Sequence, residues 1–438
     1  MLCQISAAKI HKTLPISKIL SSPKYLPRFL SPTYTAFFQA FLLGIWVKLY
    51  NLAKIIYKNN MKTFFYSLCL IASMLLIADG KAYASNNNIA RYGVKGDGVT
   101  VNTKAFKKAI EKTPEGGTLV IPAGKYVTGT IHLKSNITIV LEENAELIAN
   151  TDLNDFDYYH PTKDMTRYDT GAGTRNANLT GDTRWTKALI LGQNLENVTI
   201  TGKGTIDGMH LEDPLGEESM RGPHTIIIAE SKNIRLENIK LRHASNYAVL
   251  GYELVNSTFS NLDIEEGWDG IHIRGAENVL IENCDIKTGD DAIAGGYWNN
   301  MTIIGCKLNS SCNGIRMIEP STNLLITKCH IYGFGKFPHR TSGLNHPKKS
   351  IYGIVLEPGA WGDAPGHTEN VVIRDVTMDN VLSPVVYSMG ENNTCSGLLI
   401  DGLRATHITF NTTPLNRQDC VRMWDNIEIR NLKITMDK

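Results

Sequence analysis

NIRLENIKL (residues 233–241), NSTFSNLDI (256–264), NVLIENCDI (278–286), NMTIIGCKL (300–308) and NLLITKCHI (323–331) are five versions of one nine-residue pattern. Each has an asparagine, a short alternating apolar run, a polar pair and a second apolar run. Their starts lie 23, 22, 22 and 23 residues apart. Looser copies begin at Asn136 (NITIVLEE), Asn197 (NVTITGKG), Asn370 (NVVIRDVTM) and Asn426 (NIEIRNLKI). A fixed period of this size marks a solenoid. Period-two alternation in short runs bounded by Asn and Gly makes each unit a set of strands, with no helical pattern between them. A strand, turn, strand unit that repeats without helices is one coil of a parallel β-helix, each coil stacked about 4.8 Å above the last.

The repeat makes further expectations. Cys284, Cys306 and Cys329 fall at one place in three successive units, so they are expected as an interior stack of small apolar side chains rather than as reactive thiols. Asn102-Thr103 before KAFKKAIEK, with Ala105, Phe106, Ala109 and Ile110 on one face, predicts a short helix that caps the open end of the solenoid. The Asn-x-Ser/Thr triplets at Asn136, Asn197, Asn256 and Asn300 read as glycosylation acceptors or, more simply, as Asn opening a turn before an outward Thr or Ser. At 438 residues, the chain is long enough for two domains or for one elongated repeat, and the periodicity favours the repeat. With 42% apolar and 20% charged residues and a formal charge of +2, neither disorder nor a nucleic-acid partner is indicated.

A second methionine, Met61, opens MKTFFYSLCLIASMLLIADGKAYAS, which has the form of a secretory signal. Lys62 is basic, Phe64 to Ala78 is apolar, and Ala82-Tyr83-Ala84 is an A-x-A cleavage site before Ser85. This divides the chain into 1–60, expected as an upstream extension, a signal peptide at 61–84, and a single β-helix from 85 to 438. The mature protein is expected to be secreted or periplasmic, with no membrane attachment. The apolar run Ala36 to Val47 is shorter than the roughly 20 residues that span a bilayer. Six cysteines follow the cleavage site, with no CxxC or Cys/His cluster, so no metal and no cofactor are expected; Cys395 and Cys420 are a possible disulfide pair.

GWDGIHIRG (267–275) and TGDDAIAG (288–295) place Asp269, Asp290 and Asp291 about one coil apart. Residues 21 to 22 apart lie nearly above one another, so Asp269 and Asp290 are expected on adjacent coils of one face, with Asp291 beside them. Like charges raise at least one pKa in such a group. That arrangement suits glycoside hydrolysis, one carboxyl protonated and another ionised. A calcium site or solvated turn acids are the alternatives.

The succession GDGVTVNTKAF (96–106), IPAGKYVTGTIHLKSNITI (121–139), ITGKGTIDG (200–208), WDGIHI (268–273), GDDAI (289–293) and CNGIRMI (312–318) resembles the polygalacturonase-type glycoside hydrolases, family 28. The resemblance implies an all-β, right-handed parallel β-helix of the pectin-lyase-like kind that hydrolyses pectic glycosides with inversion. It also implies Asp290 as general acid, with Asp269 and Asp291 activating the water. The chain departs from the family pattern in two places. Asn313 stands where the family has the histidine of Gly-His-Gly, and an amide hydrogen-bonds but does not titrate. YGIVLEPG (352–359) puts Val355 and Glu357 where the family has the cations of Arg-Ile-Lys.

Glu357 would repel a uronate. The sequence offers Arg316, or Lys348 and Lys349 in the inserted loop GKFPHRTSGLNHPKKS (335–350), as replacement cations, or Glu357 itself as a hydrogen-bond partner of a neutral sugar. His272, between two isoleucines, is expected to point out of the coil into the groove. Tyr297 and Trp298, in a Gly-rich turn, are expected as sugar platforms, with Trp268 and Trp361 also near the groove. The segment 154–186 interrupts the repeat and is expected to wall off one end. The partner expected is a polysaccharide or oligosaccharide, with no nucleic acid. The rivals are a polysaccharide lyase of the same fold, a non-catalytic glycan-binding β-helix and a purely structural or adhesive β-helix, which would not need acids at such spacing.

Overall fold

The computed structural model describes residues 87–171, 178–340, 349–417 and 423–437. The expected extension and signal peptide, Lys348 and Cys420 with its pairing to Cys395 lie outside these residues. The described chain is a right-handed parallel β-helix. Every ladder between its strands is parallel, and twelve short strands, from Asp97–Val101 to Lys433–Met436, stack into one sheet.

The longer strands bend through left-handed residues. In Ile271–Glu282 these are Gly275 (φ 83°) and Asn278 (φ 56°); in Ile293–Ile304 they are Tyr297 (φ 50°) and Asn300 (φ 60°). Asn tolerates this conformation better than most residues. This explains the asparagine that opens each repeat. Its side-chain amide also stacks: Asn278 Nδ2 donates to Asn256 Oδ1 (3.1 Å) and Asn300 Nδ2 to Asn278 Oδ1 (2.6 Å). The same ladder joins Asn136, Asn197 and Asn233, so these positions serve the turn, as the simpler reading of the triplets expects.

Inside, in-register pairing stacks Ile226, Val249, Ile271, Ile293, Ile315 and Ile354, all at most 1% exposed. Full burial of each such side chain stabilises the fold by roughly 1.5–3 kcal/mol. Cys284, Cys306 and Cys329 stand in this interior, as expected. The helix Thr103–Lys112 forms where predicted and buries Phe106, Ala109 and Ile110 against the first coil.

Of the described residues in the interruption at 154–186, Phe156 enters the main core and others pack in a separate cluster. Tyr159, Met165, Tyr168 and Trp185 join Tyr247, Tyr252 and Trp268 in a second apolar cluster. Trp268 is therefore buried beneath the groove rather than open to it.

Candidate active site

The pairings Ile271↔Ile293 and Ile293↔Ile315 set Asp269, Asp291 and Asn313 above one another, two residues before each pair. The sequence reading expects Asp290, 21 residues on, to stack on Asp269. The structure corrects this: the coil here is 22 residues, so Asp291 stacks, and Asp290 sits one position earlier with its N–H on the Trp268 carbonyl (3.1 Å). One oxygen from each of the three carboxyls lies within 4.8 Å of the others.

Each carboxylate has its own partners. Asp269 accepts from His272 Nδ1 (2.6 Å) and from the Asp291 N–H (3.1 Å). Arg274 Nε donates to His272 Nε2 (3.0 Å), so this imidazole is held neutral with its proton toward Asp269. Asp291 accepts from the Asn313 amide (2.7 Å) and, more distantly, from Arg316 Nη1 (3.5 Å). Asp290 faces His339 Nε2 at 3.1 Å and Arg221 Nη2 at 3.8 Å.

Burial is the largest influence on all three acids, and charges then separate them. Asp291 is pushed up to about 7 by burial and by Asp290. Asp269 is driven well above the carboxylate range by burial, with Asp290 and Asp291 adding to it. For Asp290, burial pushes upward but His339, Arg221 and Arg316 outweigh it and hold it ionised. The three titrate as one coupled group.

A cleft of about 250 Å³ opens over these groups, lined also by Glu217, Glu218, Tyr247 and Trp361. A larger groove of about 750 Å³ lies elsewhere along the solenoid. Two of its acids are committed to the 154–186 segment, Glu230 to the Thr162 hydroxyl (2.6 Å) and Glu253 to the Tyr168 hydroxyl (3.1 Å). The smaller cleft is the candidate chemical site, because three carboxyls converge there with their oxygens within 4.8 Å.

The remaining expected residues divide. His272 does line the cleft, though only 3% exposed. Arg316 reaches it, with Nε 2.5 Å from Glu357 Oε1. Glu357 is 2% exposed and also bound by Arg417 Nη1 (2.9 Å), so it is an ion-pair partner, not a sugar ligand. Val355 is buried next to Arg316 in register. Trp298 is not in the cleft: the bend at Tyr297 rephases the strand, and the indole turns into the core, donating to the Ile273 carbonyl (2.8 Å). Tyr297 lines the other groove, under the Arg167 guanidinium at 4.0 Å. Lys349 binds the His407 carbonyl (2.7 Å), away from the acids.

Sequence reasoning misses His339, Arg221 and Glu217, and places Trp361 near the groove, where the structure has it. His339 lies in the 335–350 insertion, whose lysines are the cations that the sequence alone singles out. Pro338 in that loop closes on the coil so tightly that a Cβ on Gly289 would stand 2.2 Å from the Pro338 carbonyl oxygen. Arg221 and Glu217 sit in a loop without periodicity, and nothing local marks them. Trp361, 43% exposed beside the Arg316 guanidinium (4.7 Å), is the ring in position to meet a sugar face.

Three sets of donors could hold a cation: the Asp269, Asp290 and Asp291 carboxyls; Asp290 with Cys312 and His339; and His210 with His243 and Glu266. The first is the set that the sequence offers as a calcium site; the members of the other two come from distant parts of the sequence, so no ligand spacing announces them.

The chain is 32% identical over 230 residues to a probable polygalacturonase of Vitis vinifera, covering 48% of this chain and 44% of that protein. It is 24% identical to an exo-poly-alpha-D-galacturonosidase of Dickeya chrysanthemi, covering 47% and 41%. It thus spans less than half the length of these two relatives. Among solved structures, the family 28 exopolygalacturonase of Yersinia enterocolitica superposes with a TM-score of 0.57 at 16% identity, over 80% of this chain and 71% of that one. The endo-xylogalacturonan hydrolase of Aspergillus tubingensis gives 0.54 at 16% identity, over 78% and 91%. These two likenesses establish the fold. Residues 87–333, more than half of the chain, match the family model described as rhamnogalacturonase A/epimerase, pectate lyase-like, and the chain belongs to that family.

Proposed function

We propose that this protein is an exported, inverting glycoside hydrolase that acts on a pectic polysaccharide. The observation that carries the reading is the convergence of Asp269, Asp290 and Asp291, with oxygens within 4.8 Å, in a cleft beside an ion-paired imidazole. Export rests on the Met61 leader. Among the described residues, no helix is long and apolar enough to cross a membrane.

In this reading, Asp290 protonates the leaving oxygen, and the Asp269–Asp291 pair orients and deprotonates the water. Asp290 is the ionised member of the group, so its proton is drawn from His339, whose basicity Asp290 raises despite burial. The Asp290–His339 pair then acts as the acid, and Asp291 near 7 acts as the base. The opposite assignment, with Asp291 as acid and Asp290 as base, is favoured by the same two shifts. Substrates with a good leaving group separate the two, because they spare whichever variant has lost the acid.

A retaining course is the second reading: the nearest carboxyl oxygens lie within 4.8 Å of one another, whereas inversion usually goes with carboxyls about 6.5–9.5 Å apart. The test is the full chain and its Asp290→Asn variant against pectic oligosaccharides and neutral plant glycans, with the anomer of the new reducing end read by NMR. Saturated products from the wild type and their loss in the variant support hydrolysis, and an inverted anomer supports the stereochemistry. Unsaturated products would transfer the protein to the lyases. Binding without release would make it a glycan-binding solenoid.

A further inference from the structure

The charges around the cleft bear on which sugar lies at the acids, a question that rests on the hydrolase reading above. Five carboxyls line the cleft, from Glu217, Glu218, Asp269, Asp290 and Asp291, against the guanidiniums of Arg221, Arg274 and Arg316 and the imidazole of His339, with His272 held neutral. Each of these cations is already engaged by carboxylates of the chain. Arg221, 4% exposed, contacts Glu218 (2.8 Å), Glu217 (3.5 Å) and Asp290 (3.8 Å), with its guanidinium over the Trp268 ring at 4.9 Å. Arg274, 2% exposed, is spent on His272, on the Tyr168 carbonyl and on Glu319 (3.6 Å).

Arg316 is the most accessible of the three, at 20%. Its Nε is on Glu357, its Nη1 is toward Asp291, and Trp361 lies against it at 4.7 Å. The second cation near Glu357, Arg417, binds the same carboxylate. Among the described residues, no guanidinium lining the cleft lacks a carboxylate of the chain on it.

A sugar carboxylate brought here would have to displace a buried ion pair or stand unpaired beside the ionised Asp290. Either carries the cost of a buried uncompensated charge. A neutral sugar meets no such opposition. Its hydroxyls can accept from the guanidinium edges and donate to the carboxylates, and its apolar face can lie on the exposed Trp361 ring. We infer that the sugar residue cleaved at Asp269, Asp290 and Asp291 is uncharged, so that the enzyme cuts at a neutral residue of a pectic polysaccharide rather than within a run of free uronates.

The experiment pairs saturated oligogalacturonates with the same oligomers after chemical reduction of their carboxyls, and adds neutral-sugar fragments of pectic side chains. The full chain is assayed with Asp290→Asn as the blank. A preference for the uncharged substrates by on the order of 10²-fold in kcat/KM is expected. Equal or faster cleavage of the free oligogalacturonates would overturn the inference and leave the hydrolase standing. No cleavage of any of them above the blank would remove the hydrolase reading and this inference with it.

A second variant sharpens the result. Glu357→Gln removes the negative charge that occupies Arg316 and Arg417 while keeping the shape, and is expected to raise activity on the uronate oligomers relative to the neutral ones. An unchanged ratio would show that ion pairing of Arg316 does not set the preference.

Discussion

The same coils carry two stacks with opposite energetics. On one corner Asn256, Asn278 and Asn300 lie above one another; on another face Asp269 lies below Asp291, with Asn313 next. An amide has both donor and acceptor, so identical side chains one coil apart satisfy each other indefinitely. A carboxylate has only acceptors, and repeating it in a buried position sets charge against charge. The repeat therefore favours the first stack and opposes the second. The acid column ends after two members, where Asn313 supplies the donor that Asp291 needs. A stack that the architecture resists is the better marker of function.

The strongest way to break the contrast is to turn the acid column into an amide ladder. Asp291→Asn is expected to lower kcat by about 10²–10⁴-fold, the range for loss of a general acid or base. It should also stabilise the fold above neutral pH. Asp291 is raised from 3.8 to about 7, so between these values the native state binds more protons than the unfolded state. Stability then falls as pH rises through that window. Urea titrations of wild type and variant should diverge between about pH 4 and 7, with the variant ahead by about 1–3 kcal/mol once Asp291 is ionised. A variant that is no more stable at pH 8 than the wild type would mean that the stacked carboxyls carry no strain.

Next in size is the adjacent pair Tyr297 and Trp298, which the sequence treats alike and the structure separates. Trp298→Ala is expected to destabilise by about 3–5 kcal/mol, as for other buried aromatics, with little direct effect on substrate affinity. Tyr297→Ala, in a half-buried position at the bend, should cost far less. Thermal melts of the two variants decide it, and equal losses would contradict the inward turn of the indole.

What was legible in the sequence follows from the same physics. Period and alternation are local, so the coil, the cysteine stack, the asparagine turns and the capping helix could be read from segments such as NVLIENCDI. The acids were legible because Asp269 and Asp290-Asp291 lie one coil apart within the repeat. A register difference of one residue moved the stacked partner from Asp290 to Asp291, and the left-handed Tyr297 flipped Trp298 from groove to core. A period of 22 or 23 does not specify such shifts. His339 and Arg221 escaped because they arrive from loops whose return to the cleft is a property of the folded molecule alone.

His339 gives a smaller, directional effect. If the imidazole supplies the proton of the Asp290 pair, His339→Gln should pull the alkaline limb of the kcat/KM profile to lower pH. The acidic limb, set by the coupled Asp269, Asp290 and Asp291 group, should move less. Groups that face His339 are Asp290, Arg221 and Glu218, and none of them is altered by the substitution. An unmoved alkaline limb would reduce His339 to a structural contact of its loop.

The smallest effect should come from placing a carboxylate in the amide ladder. Asn278→Asp keeps a residue that tolerates φ 56° and stands at an exposed position, 22 residues from its neighbours on either side. The new side chain can still accept from Asn300 but can no longer donate to Asn256, so one of two ladder bonds is lost. A solvated hydrogen bond contributes about 1 kcal/mol or less. Activity should be unchanged, and the loss of stability should show little dependence on pH, because a hydrated carboxylate keeps its ordinary affinity for protons. A large or strongly pH-dependent loss would mean that one-coil spacing alone makes acids costly. A small, flat loss would assign the cost of the Asp269–Asp291 stack to burial, which is what the cleft adds and the ladder corner lacks.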